Sequence, residues 1–244
     1  MRTKVITRSM LVAVLFTAIP LYSATGTATP TPALSGAAQA THLANLKTRG
    51  AAEIDRRLAA LNTALTKLGA STKLGQSDKA ALTAQVTAET TALTALKAKL
   101  AADTDLATAR VDVQSIVTEY RVYVLMLPKA RLVAATDHLV LVEGQLTDLQ
   151  AKLKTKIDAA TAVGKDTAAM TASLADLSAK IAATKAISDG FVAKLLALQP
   201  TDYNADHTIL ETYRTSLVTA RTDIKAARDD AVSIITALKA ANAK

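Results

Sequence analysis

The sequence predicts an all-α protein, an elongated antiparallel bundle of about six long helices. Three observations predict it. Apolar residues step by alternating fours and threes along most of the chain, as in Ile54, Leu58, Leu61, Leu65 and Leu68, which lines them on one helical stripe of heptad type. Aromatic residues make up only 3% of the chain and Trp is absent, so the large aromatic area on which α/β enzyme cores lean is missing. The eight glycines occur singly, and Pro128 is the only proline between Pro32 and Pro200; breakers mark joints between long segments.

The first 24 residues carry Arg2, Lys4 and Arg8, then an uncharged run from Met10 to Leu21, then small residues. This is the layout of a secretory signal, with an apolar core well short of the roughly 20 residues a membrane span needs. A signal peptide is assigned to residues 1–28, with Ala24, Ala28 and Ala40 as alternative cut sites; an uncleaved N-terminal anchor is the competing reading. Residues 29–40, rich in Thr, Pro and Ala and free of charge, are expected to be a disordered linker. The bundle then occupies 41–244.

Its first helix is expected over Thr41–Leu68 and is broken by Gly69–Gly75. Ser77 caps a second, with Leu82, Val86, Leu93, Leu96 and Leu100 on its seam and Glu89 as a polar interruption that fixes register. Thr104 is the expected N-cap of a third helix over Asp105–Leu127. Pro128 ends or kinks it, since its ring crowds the carbonyl four residues back, and Leu127 before it is biased away from helical geometry. A fourth helix follows over Lys129–Val163, closed by Gly164. Asp166 caps a fifth to Leu198, weakened at Gly190. After a loop over Pro200–Asp206, the last helix covers His207–Ala241.

Short joints imply antiparallel neighbours. If every joint reverses the chain, Tyr120, Tyr123, Phe191, Tyr203 and Tyr213 all fall near one pole. The same pattern allows two three-helix halves joined near Pro128. The rival reading runs the third and fourth helices on as one kinked rod, which would undo the parity argument.

Composition excludes several function classes. There is no Cys, hence no disulfide, thiolate metal site or Cys nucleophile. The formal net charge of +8 falls by three, to +5, once Arg2, Lys4 and Arg8 leave with a leader. Basic residues alternate with acids, as in Asp55-Arg56-Arg57 and Arg228-Asp229-Asp230. That is a solvated helix face without the basic runs and interleaved aromatics that nucleic-acid binding uses. His42, His138 and His207 lie far apart, without HExxH spacing, so no metal ligands are assigned. Asp103 and Asp105 flank a helix start, where carboxylates favour the dipole, and Glu53, Asp55, Arg56 and Arg57 read as a salt-bridged helix face. No GxSxG, phosphate-binding loop or dinucleotide fingerprint is present; no catalytic or cofactor-binding residue is assigned, and the chain is not expected to be an enzyme.

The one candidate site is the apolar region holding Tyr120, Arg121, Tyr123, Pro128, Lys129 and Arg131. Two readings stand. These residues are the rim of a hydrophobic helix end, their long stems covering apolar surface, or they form a partner-binding patch.

Arg49-Gly50-Ala51-Ala52-Glu53-Ile54-Asp55-Arg56-Arg57 with Leu61-Asn62, then Asp103-Thr104-Asp105-Leu106-Ala107, then Tyr120-Arg121-x-Tyr123 followed by Pro128-Lys129, together resemble an uncharacterised family of exported bacterial α-helical, coiled-coil-like proteins. The likeness spans most of residues 48 to 240. It implies a secreted, helical protein and attaches no activity. The functional expectation is therefore an exported, non-enzymatic helical structural or interaction protein of the cell envelope, secreted or at the cell surface, with an unidentified protein as partner. The alternative is a module binding an anionic envelope polymer. Self-association through the heptad faces remains compatible with either, and no nucleic acid is expected.

Overall fold

The apolar stripes wind into helices throughout residues 35–242, which are the residues described by the computed structural model. Eight α-helices follow in order: α1 Gly36–Ala70, α2 Gln76–Ala102, α3 Leu106–Thr118, α4 Leu127–Ala162, α5 Ala168–Ser188, α6 Phe191–Ala197, α7 Pro200–Ala205 and α8 Ile209–Asn242, with a π turn, Val122–Met126, between α3 and α4. No strand occurs among the described residues. The fold class is all-α, as the sequence predicts. The proposed leader and the first half of the linker, residues 29–34, lie outside the described residues, but α1 starts at Gly36, so the linker's last residues are helical.

The predicted seams are the core. Ile54, Leu61 and Leu68 of α1 and Leu82, Val86, Leu93 and Leu100 of α2 are all buried, and Leu177, Leu217 and Ile234 join them from the later helices. At about 25 cal/mol per Å² of apolar area, such seams outweigh the middling helix propensity of the many threonines. Many of the threonines are accommodated by donating their hydroxyls to the carbonyl four residues back, as Thr90 does to Val86 at 2.8 Å and buried Thr136 to Leu132 at 2.9 Å.

The joints differ in detail from expectation. The N-cap of α2 is Gly75, not Ser77; its N–H donates to Asp137 at 2.8 Å. Asp105, not Thr104, caps α3, accepting from the Thr108 N–H at 2.8 Å and its hydroxyl at 2.6 Å. A carboxylate there satisfies an orphan donor and also complements the helix dipole. The expected fifth helix divides at Asp189–Gly190, because Gly190 sits at φ 70°, a conformation that interrupts an α-helix and that only glycine adopts at little cost. The expected loop over Pro200–Asp206 contains α7, whose first turn is closed by a reciprocal Gln199–Asp202 capping box.

Pro128 neither ends nor reverses the third helix. It lies in the first turn of α4, where the lost N–H is no handicap, and Leu127 is helical at φ −67°, ψ −42°. The π turn ahead of it winds wider than an α-helix, which gives the ring the room a regular helix denies. The break falls earlier, at Glu119–Arg121, with Arg121 left-handed at φ 41°. The Arg121 carbonyl then accepts from both Leu125 at 2.8 Å and Met126 at 3.2 Å, starting the π turn.

The chain does not turn back there. Lys99 meets Asp112 at 2.7 Å, Tyr120 donates to the Ala92 carbonyl at 3.3 Å, and Gly75 meets Asp137. Each step forward along α3, the π turn and α4 is thus matched by a nearly equal step back along α2. The rival reading, one broken rod, is the correct one, and α4 runs on past the α1–α2 turn into a second group of helices. There Thr161 pairs with Thr167 at 2.7 Å, Ser188 donates to Glu143 at 3.1 Å, and Lys129 reaches the Leu198 carbonyl at 3.1 Å. These contacts hold α5 and α6 antiparallel to α4. Lys180 joins Asp230 of α8 at 2.7 Å. Two three-helix groups therefore share the first turns of α4. The aromatics collect where the groups meet and not at a pole: Tyr120 beside Ala92, Tyr123 beneath Arg57, Tyr203 against Arg121, and Phe191 edge-on to Tyr213 at 5.0 Å.

Candidate functional site

The six residues singled out in the sequence lie on the shared rod, but helical geometry distributes them over three directions. Tyr120 and Lys129 face α2 and α6. Together with Gln85 and Glu89 of α2, and Leu198 and Pro200, they line a cavity of about 290 Å³. Tyr123 and Arg131 face α1. Arg121 faces α7. Pro128 is half-buried within the first turn of α4.

Lys129 is 2% exposed and its ammonium is held by the Leu198 carbonyl. Burial lowers its pKa, and Glu89 opposes that shift. Burial pushes Glu89 up to about 7, with Lys129 drawing it back. Both groups are therefore biased toward their neutral forms, because desolvation outweighs an attraction that does not close to contact. The Gln85 amide donates to the Leu196 carbonyl at 2.9 Å. Gln85 Oε1 and Glu89 Oε1 are buried without a hydrogen-bond partner among the described residues. The Tyr120 hydroxyl is raised by burial first, then by Glu119 and Glu89. The arrangement sets a carboxyl that burial pushes up to about 7 near a buried ammonium at the seam between the two helix groups.

On the α1 side, the buried Arg57 guanidinium lies 5.2 Å from the Tyr123 ring centroid and pairs with Glu53, which also binds Arg56 at 2.5 Å. Lys97 bridges to Asp55 at 2.6 Å. The salt-bridged face expected from Glu53–Arg57 is thus present, although Arg57 itself is turned inward. Arg131, Leu127 and Ala130 border an apolar cleft of about 350 Å³ against Ala60, Ala64 and Leu68.

On the α7 side, Arg121 Nε donates to Asn204 Oδ1 at 2.6 Å, and its guanidinium lies 5.4 Å from the Tyr203 ring centroid. Asn204 Nδ2 in turn donates to the Thr118 carbonyl at 2.8 Å. One side chain thereby satisfies an orphan carbonyl at the end of α3 and holds the residue that breaks the rod. Sequence reasoning missed Asn204 and Gln85, and it placed Arg57 on a solvated face where the structure buries it. Glu89 carried a signal, a carboxylate on a leucine seam; Asn204 carried none, since its partners lie more than 80 residues earlier.

His138 and His42 are exposed, and His207 stacks edge-on against Tyr203 at 5.1 Å. Among the described residues no group of three His, Asp or Glu side chains converges to hold a metal ion, and no helix is long and apolar enough to cross a membrane. No protein-family model, curated protein or solved structure matches the chain.

Proposed function

We propose that the protein is an exported, non-enzymatic helical structural and interaction protein of the cell envelope. The observation that carries this reading is how the polar side chains at the junction are engaged. Lys129, Gln85, Asn204, Arg121 and Asp137 each bond a backbone or side-chain group of another helix. They tie two three-helix groups to one rod, which suits a part that spans and holds. The leader-like N-terminus supplies the export half of the proposal. Fractionating cells that express the full chain with a C-terminal tag tests it. The expected result is protein outside the cytoplasmic membrane whose N-terminus follows Ala24, Ala28 or Ala40, and retention in the cytosol when Leu11 and Val14 are both changed to Arg. Cytosolic protein that still begins at Met1 contradicts it.

A second reading, a module that binds an anionic envelope polymer, is favoured by the charge distribution. From Gly36 to Ala52 the chain holds His42, Lys47 and Arg49 and no acid, which creates a local positive field within a mildly basic molecule. Salt-sensitive retention on cell-envelope material is its test; retention that does not change between low and high salt counts against it.

A further inference from the structure

α1 and α3 leave a cleft of about 300 Å³ between them, lined by His42, Asn45, Leu46 and Arg49 from α1 and by Leu106 and Arg110 from α3. His42, Asn45 and Arg49 share one face of α1, at spacings of three and four residues, and Arg110 stands one turn beyond Leu106 on the facing helix. Arg49 and Arg110 thus border one space from two helices, and two cations there favour an anion between them.

None of the nearby acids pairs with either arginine. Asp105 caps α3 through Thr108. Asp112 is engaged by Lys99, and Glu53 by Arg56 and Arg57. The Asp103 carbonyl receives Lys47 at 2.5 Å, and its side chain is buried. The Arg49 and Arg110 side chains make no hydrogen bond or ion pair to any described residue, and both are exposed, as are His42 and Asn45. Two arginines, an asparagine and a histidine therefore line the cleft, from α1 on one side and α3 on the other. Donors arriving from two sides suit a tetrahedral phosphate, whose oxygens point in several directions, better than a planar carboxylate that one guanidinium satisfies.

We propose that this cleft binds a phosphate group of a phosphodiester-linked polymer, with Arg49 and Arg110 as the paired cationic contacts and Asn45 and His42 as orienting donors. The proposal rests on the polymer-binding reading and names its site and ligand chemistry.

The test uses the full chain and a soluble poly(glycerol phosphate), with inorganic phosphate and poly-glutamate as separate arms, followed by titration calorimetry at several salt concentrations. The variants are Arg49→Gln with Arg110→Gln, and, as a distant control, Arg221→Gln with Arg228→Gln on the exposed face of α8. All four arginines are exposed, and dichroism verifies that each variant stays helical. The expected result is binding of the phosphate polymer that weakens about tenfold or more in the Arg49/Arg110 variant, with a salt slope reduced by roughly 1 to 2, and that is unchanged in the α8 control. Weak binding of inorganic phosphate lost in the same variant also supports the site. Equal losses in both variants, or polymer binding untouched by the Arg49/Arg110 change, overturn the cleft while leaving the polymer-binding reading intact. A preference for poly-glutamate overturns the ligand assignment. Binding of no anionic polymer by the unaltered chain overturns both.

Discussion

Replacing Arg121 by glycine and by alanine separates the backbone of the rod break from the side chain that holds it. Both variants lose the bond to Asn204 and the contact with the Tyr203 ring, so those losses cancel in the comparison. What remains is the left-handed conformation at φ 41°, ψ 35°, which costs a residue with a Cβ about 1–2 kcal/mol. Glycine's greater freedom in the unfolded chain returns about 0.4–1 kcal/mol of that. The glycine variant is therefore expected to be the more stable by about 1 kcal/mol. At an ordinary helical position the sign reverses: Ala151→Gly, on the exposed face of α4, is expected to destabilise by about 1 kcal/mol. Urea unfolding monitored by far-ultraviolet dichroism resolves both differences, and the melting temperatures should shift by about 2–4 °C in matching directions. If the alanine variant proves the more stable, Arg121 lies within a continuous helix and the reasoning about where the rod breaks fails.

Three further outcomes are expected. A Cβ on Gly50 would lie 2.5 Å from Leu100 Cδ2 and 2.8 Å from Val113 Cγ2, whereas nothing lies within 4 Å of one on Gly144. Gly50→Ala should therefore destabilise by roughly 1 kcal/mol despite its better helix propensity, and Gly144→Ala should stabilise by about 0.5–1 kcal/mol in the same denaturation assay. Glu89 binds its proton more tightly folded, near pH 7, than unfolded, near 4.5, so its contribution to stability is complete below pH 4.5 and is lost as pH rises through 7. After discounting for its partial exposure this amounts to about 1–2 kcal/mol, and the difference between pH–stability curves of the unaltered chain and Glu89→Gln should show it; parallel curves would mean Glu89 is not desolvated. Lys129→Met leaves Glu89 without its nearby positive charge and should cost roughly 2 kcal/mol at pH 8 and much less at pH 5, with a second change, Glu89→Leu, recovering most of the loss at pH 8.

Most of the fold was legible because heptad stripes report burial directly. Ile54, Leu61, Leu82, Leu93 and Leu100 lie on predicted seams and all are buried. The course of the chain at Pro128 was not legible, because a proline has the same local effect whether it ends a helix or opens the next one. The deciding features were a left-handed Arg121, a residue type with no preference for that conformation, and Asn204, which stabilises it from α7. The aromatic residues were expected together and are together. Their location followed from direction of travel, which periodicity does not encode, and so moved from a pole to the junction. The six residues of the candidate patch lie along the rod but face three ways: Tyr120 and Lys129 share a cavity, while Tyr123 looks the opposite way toward Arg57.

The central claim is that α3, the π turn and α4 form one rod shared by two three-helix groups. The chain has no cysteine, so spin labels can be placed by Val111→Cys and Leu141→Cys, both on exposed positions, and their separation read by double electron–electron resonance. A continuous rod at 1.5 Å per residue puts the labels about 45 Å apart. A chain that reverses at Pro128 brings those helices to neighbouring positions about 8–10 Å between axes, with labels under roughly 25 Å apart, and that shorter distance would contradict the account.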